Sequence, residues 1–141
     1  MAADPTEPTA GPSAEQAAEP PAGAAGEVEW PADWLRGVLG VCVLRILADG
    51  PAYGYAISLR LEQDGLGTVK GGTLYPLLSR VEAAGLVDVE WRAGDGGPGR
   101  KYYSLTAAGR HRLAQDAGRW ARFAALTTGL VSSPDPTQEQ R

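Results

Sequence analysis

Thr73, Ser79 and Arg80 share one side of a helical repeat inside Lys70–Trp91, with Pro76 and Ala83 beside them; Leu74, Leu77, Leu78, Val81 and Gly85 take the other side. Two hydroxyls and a guanidinium form a hydrogen-bonding surface that lacks any nucleophile–base pair. Such a surface suits the edges of bases in a DNA groove, where an arginine meets guanine through two parallel bonds. Lys70 ahead of this stretch, and Arg100 and Lys101 beyond it, place cations where a phosphate backbone would pass. Tyr53 and Tyr75 add phenolic hydroxyls able to donate to phosphate oxygens. The expected DNA-contacting set is Tyr53, Lys70, Thr73, Tyr75, Ser79, Arg80, Arg100 and Lys101.

Three of these residues have a second reading. Tyr75, about 100° from Leu74 on the wheel, can pack against a neighbouring hairpin. Arg80 can pair with Glu82 or Asp88, an exposed ion pair that contributes little. Lys101 shares a strand face with Tyr103 and Leu105, so its stem can cover the core while its ammonium reaches water.

Catalytic chemistry finds no support. His111 is the only histidine and Cys42 the only cysteine, which excludes an internal disulfide and a Cys/His metal cluster; no Ser/His/Asp set is expected, because the one histidine falls on an exposed helix face. Cys42 falls in an apolar helical pattern and reads as a small buried hydrophobe. Asp88 and Glu90 alternate along a solvated strand face rather than converging. No glycine-rich stretch has the G-x-x-x-x-G-K-[ST] form of a phosphate loop, so no cofactor, metal or catalytic residue is expected.

The elements that must position these side chains follow from pattern. Leu35, Val38, Leu39, Cys42, Val43, Ile46 and Leu47 repeat at helical spacing over about Trp34–Ala48, with Asp33 as the expected N-cap and Asp49-Gly50-Pro51 as the stop. Val41 and Leu44 make a second apolar side. A second helix spans about Tyr53–Gln63, and Asp64–Gly72 is a glycine-broken connector. The third helix spans about Thr73–Ala84, opened by Gly71-Gly72 and closed by Gly85; Pro76 is tolerated if it lies in the first turn, whose amides have no helical partner. Leu86–Arg92 alternates at period two as a strand, Ala93–Gly99 is a seven-residue turn, and Arg100–Leu105 is the return strand. Thr106 caps a last helix reaching about Val131. The fold class is mainly α with a small β-hairpin: a winged helix-turn-helix plus a C-terminal dimerisation helix.

Charge separates the chain into regions. Residues 1–33 hold seven acids and no Lys or Arg, whereas residues 34–131 hold twelve basic and eight acidic residues, a net +4 inside a chain of net charge −4. Residues 1–29, rich in Ala, Pro, Gly and Glu, cannot bury enough surface to offset their ordering entropy and are expected to be a disordered acidic tail. Residues 30–105 form the DNA-binding domain, 106–131 the dimerisation helix and 132–141 a polar tail. Neither a signal-peptide pattern nor a long apolar run is present. A cytoplasmic protein without membrane contact is expected.

Leu35-Arg36-Gly37, Gly50-Pro51-Ala52-Tyr53-Gly54-Tyr55, Gly72-Thr73-Leu74-Tyr75-Pro76, Gly85-Leu86-Val87, Arg100-Lys101-Tyr102-Tyr103 and Leu105-Thr106-Ala107-Ala108-Gly109 occur in that order over roughly residues 34–131. This run resembles the signature of the PadR family of bacterial transcriptional regulators, in its short subfamily with one C-terminal helix. The resemblance implies a dimeric repressor that leaves its operator when a small molecule changes the dimer geometry. Two positions depart from the family pattern: Ala56 stands where an acid is usual, and Gly97-Pro98-Gly99 before Arg100 leaves the wing tip one arginine short.

The last helix carries two adjacent apolar stripes, more than one small domain can cover. Leu113, Ala117, Trp120, Phe123 and Ala124 are the expected dimer interface, and a two-fold pair would read a palindromic double-stranded operator. Two Trp120 rings across such an axis would form a slot for a flat aromatic effector, and Arg119 and Arg122 would favour an anionic one; a tryptophan that simply fills the seam is the competing reading. The alternative function is a winged-helix protein–protein module that uses the acidic N-terminal arm for docking.

Overall fold

The computed structural model describes residues 29–94 and 96–139, so the tail expected over 1–29 lies outside the described residues apart from Glu29. In chain order the elements are α1 (Ala32–Leu47), β1 (Ala52–Tyr53), α2 (Gly54–Leu61), a π-helical turn (Glu62–Leu66), α3 (Gly71–Ala83), β2 (Val87–Gly94), β3 (Gly97–Leu105), α4 (Ala107–Val131) and α5 (Pro136–Glu139). The strands form one antiparallel sheet in the order β1-β3-β2. Helix, helix, helix and hairpin are in the expected order, and β1 is an addition.

α1 begins earlier than expected and without a side-chain cap. The Pro31 carbonyl accepts from the amides of Trp34 (3.0 Å) and Leu35 (3.2 Å). Asp33 therefore sits inside the first turn, where its charge complements the helix dipole, and it pairs with Arg36. Trp30 Nε1 donates to the Gly65 carbonyl at 2.8 Å and fastens the start of the described chain to the π-helical turn. At the far end of α1, Asp49 accepts from Arg45 at 2.9 Å and Arg60 at 3.0 Å, and Arg60 also meets Asp64 at 3.0 Å. Those hydrogen bonds, from Arg45 first and Arg60 second, hold the Asp49 carboxyl below its usual range. All four groups are exposed or nearly so, and the network positions more than it stabilises.

The core is one cluster. Leu39, Val43, Ile46 and Leu47 of α1 meet Ile57 and Leu61 of α2, Leu74, Leu77, Leu78 and Val81 of α3, and Val87 and Tyr103 of the hairpin. Leu44, assigned to a second apolar side of α1, is also buried. Val69, in the connector expected to be only glycine-broken, plugs the same cluster, and the connector folds as a π-helical turn because Gly65 (φ 102°) and Gly67 (φ 79°) admit left-handed backbone. Cys42 packs half-buried against this core, and burial raises its thiol pKa, with Asp64 adding to the rise. The thiol stays protonated and inert, as its pattern predicts.

The wing is tighter than the expected seven-residue turn. Strand pairing continues to Gly94↔Gly97, with a register irregularity between Arg92 and Gly94. Side chains would not fit there: a Cβ on Gly94 would stand 2.6 Å from the Pro98 carbonyl oxygen, and one on Gly99 2.8 Å from that of Arg92.

Thr106 caps α4 as expected. Its Oγ1 accepts from the Gly109 amide at 3.0 Å and donates to the Gly85 carbonyl at 2.7 Å, a cap worth about 1 kcal/mol. The Thr106 amide also donates to Leu86 O at 3.1 Å. Gly109 is buried so close to Leu86 that a Cβ there would lie 2.1 Å from the Leu86 carbonyl oxygen. The expected polar tail holds one helical turn, α5, within its described part. No helix among the described residues is long and apolar enough to cross a membrane.

Candidate nucleic-acid interface

α3 keeps the two-sided division read from its spacing. Leu74, Leu77, Leu78 and Val81 are buried, whereas Thr73, Tyr75, Pro76, Ser79 and Arg80 are exposed. Lys70 is the N-cap residue, exposed, and its carbonyl accepts from Thr73 and Leu74, each at 2.9 Å. Because the helix starts at Gly71, two residues earlier than expected, Pro76 falls in the second turn rather than the first. There its missing N–H leaves the Gly72 carbonyl without a helical donor. Gly72 is exposed, so water can satisfy that oxygen.

Tyr75 packs on the start of α2 instead of the hairpin. Its ring lies over Gly54, where a Cβ would meet the phenolic oxygen at 2.5 Å, and over Gly71, where one would meet Cδ2 at 3.3 Å. Gly54 is therefore the room that Tyr75 occupies, and half of the Tyr75 surface stays open. Gly54 lies in the Gly50–Tyr55 motif, but its link to Tyr75 is not visible in the spacing.

Tyr53, expected at the start of a helix, is instead the second residue of β1, extended at φ −99° and ψ 166° and paired with Tyr102. The two rings stand 5.3 Å apart, and the Arg100 guanidinium lies 4.7 Å from the Tyr53 ring centre. Tyr53 and Arg100 are thus brought together, one residue from the glycine under Tyr75. Lys101 goes elsewhere: its Nζ is 3.3 Å from Glu82 and 5.5 Å from the Tyr103 ring centre, which matches the reading of a stem laid over the core. Burial alone would lower its pKa, but Tyr103 and Glu82 outweigh this and raise it, so the ammonium is fully charged at neutral pH. Glu82 being taken, Arg80 forms no ion pair among the described residues.

Sequence reasoning missed three residues on this surface, Tyr55, Arg92 and Tyr102, and an exposed tryptophan on the opposite sheet face: Trp91, 69% exposed, stands opposite Lys101 in the hairpin. Arg92 lies 4.2 Å from the Tyr102 ring centre, and Tyr55 stacks at 6.5 Å from Tyr53. The signal for Arg92 and Tyr102 was available, because period-two alternation puts them on one sheet face with Arg100.

A second region lies between α1, the end of α3 and α4, a cleft of about 760 Å³. Gly40, Val41, Leu44 and Leu77 line it, and Arg80, Arg119, Trp120 and Phe123 are at its borders. Leu113 packs against its own core, while Ala117, Trp120 and Phe123 are exposed and Ala124 is half-buried. Of the residues named for an effector, Trp120 and Arg119 reach the cleft and Arg122 is absent from its lining. Beyond Trp120 the helix continues with Leu126, Leu130 and Val131 exposed.

A three-helix core with a two-stranded wing and an extra strand before α2 defines a winged helix-turn-helix protein of mainly helical class. The family described as "Transcriptional regulator PadR-like family" matches residues 43–115. Transcriptional regulator Rv3488 of Mycobacterium tuberculosis is 37% identical over 84 residues, covering 60% of this chain and 77% of that one. Among solved structures, a PadR-like transcriptional regulator from Bacillus cereus is 32% identical with a TM-score of 0.65, over 73% of this chain and 100% of the other. A PadR family regulator from Eggerthella lenta is 34% identical, also with a TM-score of 0.65, over 72% and 88% of the two chains. The chain belongs to the PadR-like family of transcriptional regulators, which agrees with the resemblance read from its motifs.

Proposed function

We propose that the chain is a dimeric, sequence-specific DNA-binding repressor of the cytoplasm, released from a palindromic operator by a small-molecule effector. The observation that carries this reading is the side of α3 open to solvent, where Thr73, Tyr75, Ser79 and Arg80 are all exposed and Tyr75 lies over Gly54, next to Tyr53 of the Tyr53–Arg100 pair. Thr73, Ser79 and Arg80 read base edges; Lys70, Tyr53, Tyr75 and Arg100 hold phosphates, and Lys101 contributes long-range charge from its seat against Glu82. The apolar second half of α4 supports pairing through residues 106–131, and Gly37 on α1, with nothing within 4 Å of where a Cβ would stand, leaves space for a partner helix to approach closely.

The test is titration of a labelled duplex from upstream of the chain's own gene. With three to five phosphate contacts per protomer, the logarithm of the binding constant falls by about 0.9 per contact for each tenfold rise in salt. Arg80→Ala is expected to relax discrimination at one base pair by about 1–3 kcal/mol with the salt slope little changed. Indifference of both binding and discrimination to Arg80→Ala and Thr73→Ala would remove α3 from the interface.

The effector reading rests on Trp120 and Arg119 at one cleft. An aromatic or anionic ligand there quenches tryptophan emission in the wild type and does so much less in Trp120→Phe; equal quenching in both places the ligand elsewhere. The second reading, a protein–protein module, is favoured by the inward turn of Lys101, which leaves the wing with less free charge. It requires partner capture that depends on residues 1–29 and survives loss of Arg100.

A further inference from the structure

Two arginines face each other directly across the wing. Arg92 of β2 and Arg100 of β3 are register partners, and like charges in that position oppose the pairing of their strands. The chain nonetheless holds both in place. The Arg92 guanidinium lies over the Tyr102 ring at 4.2 Å and the Arg100 guanidinium over the Tyr53 ring at 4.7 Å, with the two rings 5.3 Å apart. Gly99 beside them has no room for a side chain, since a Cβ would stand 2.8 Å from the Arg92 carbonyl oxygen, and the register irregularity begins just past Arg92. A bulge there re-aims side chains near a sheet edge.

Stacking uses the face of a guanidinium and leaves its N–H edges free. Arg100 makes no ion pair among the described residues, and Arg92 has one long contact, 3.4 Å, to the exposed Glu90. Two preoriented cations with open donor edges, side by side and mutually repelling, form a site for anions repeated along a line. The wing tip beyond them supplies no cation from Gly94 to Gly99. The stacked arginines and tyrosines also adjoin α3, because Tyr53 precedes Gly54, over which Tyr75 of α3 lies.

We propose that Arg92 and Arg100, each stacked on a tyrosine of the outer sheet face, clamp adjacent phosphates of one DNA strand. The clamp rests on the DNA-binding reading above and adds Arg92, with Tyr102 as its positioning residue, to the contact surface. The cross-strand repulsion of the free protein is relieved when the phosphates arrive.

Phosphate contacts carry no sequence information, so the test uses the full chain and a short fluorescein-labelled duplex of random sequence alongside the upstream duplex. Arg92→Gln and Arg100→Gln are each expected to reduce the salt slope by about 0.9 per bound protomer, hence about 1.8 for a bound dimer, equally on both duplexes, and the double variant by about twice that. Arg92→Lys keeps the charge and retains most of the slope. Thermal melting provides the opposing readout: Arg92→Gln removes a like-charge opposition, so its melting temperature is expected to equal or exceed that of the wild type. The clamp is overturned if Arg92→Gln leaves the slope unchanged while Arg100→Gln lowers it. It is also overturned if Arg92→Gln binds weakly only because it melts earlier. A wild type that binds neither duplex at any salt concentration would overturn the DNA-binding reading, and the clamp with it.

Discussion

Replacing Phe123 and Leu126 together with glutamate is expected to yield a folded single protomer and to weaken binding to the upstream duplex by about 10²–10⁴-fold. Both side chains are largely exposed, 64% and 65%, and neither belongs to the core cluster, so the cost to folding within one protomer is small. Among the described residues nothing covers them on this helix of 25 residues. Two glutamates buried against two more across a symmetry axis would leave four unpaired charges, and pairing fails. Each domain then meets its half-site alone and loses the effective concentration that linkage provides. Light scattering reads the mass, melting reports that the protomer is intact, and titration gives the affinity. A variant that remains dimeric, or one that becomes monomeric yet binds as tightly as the wild type, would place pairing elsewhere.

Leu78→Ala is expected to cost about 2–5 kcal/mol of unfolding free energy, measured by urea denaturation. Leu78 has no exposed surface and lies on the buried side of α3 amid the cluster formed by α1, α2 and the hairpin. The cluster it belongs to draws on α1, α2, α3 and both strands of the hairpin and cannot collapse as a whole into the vacated space, which favours the upper half of that range. In a domain whose total stability is of the order of 5–15 kcal/mol, such a loss is severe. Leu78→Met conserves volume and should cost less than about 1.5 kcal/mol. The contrast between the two separates a cavity effect from a general intolerance of substitution.

The helical framework was legible because its signal is local. Leu74, Leu77, Leu78 and Val81 recur at a spacing only one helix face can satisfy, and each is buried. Thr106 was readable for the same reason, since a cap acts within its own first turn. Strand β1 was not, because two residues carry no period; Tyr53 is extended through its pairing with Tyr102, almost fifty positions away in sequence. The seat of Lys101 depends on Glu82, across the helix–strand junction. Helix starts were misplaced by two residues at both α1 and α3, since backbone carbonyls of Pro31 and Lys70 accept the first amides where a side-chain cap or a glycine was taken as the opening signal. Alternation marks the face of Arg92, but its place over Tyr102 depends on the pairing of β2 with β3, which a period of two does not set.

The junction of α3 with α4 has a mechanical consequence. Thr106 bonds to Gly85 and Leu86, two successive residues of the turn between α3 and β2, and Gly109 rests against the Leu86 carbonyl with no space for even a methyl group. The start of α4 and the end of α3 are therefore fastened to the same short turn. In a two-fold pair, a few degrees of swivel between the long helices would be delivered through it to the reading heads, which would change their separation before any local unfolding was needed.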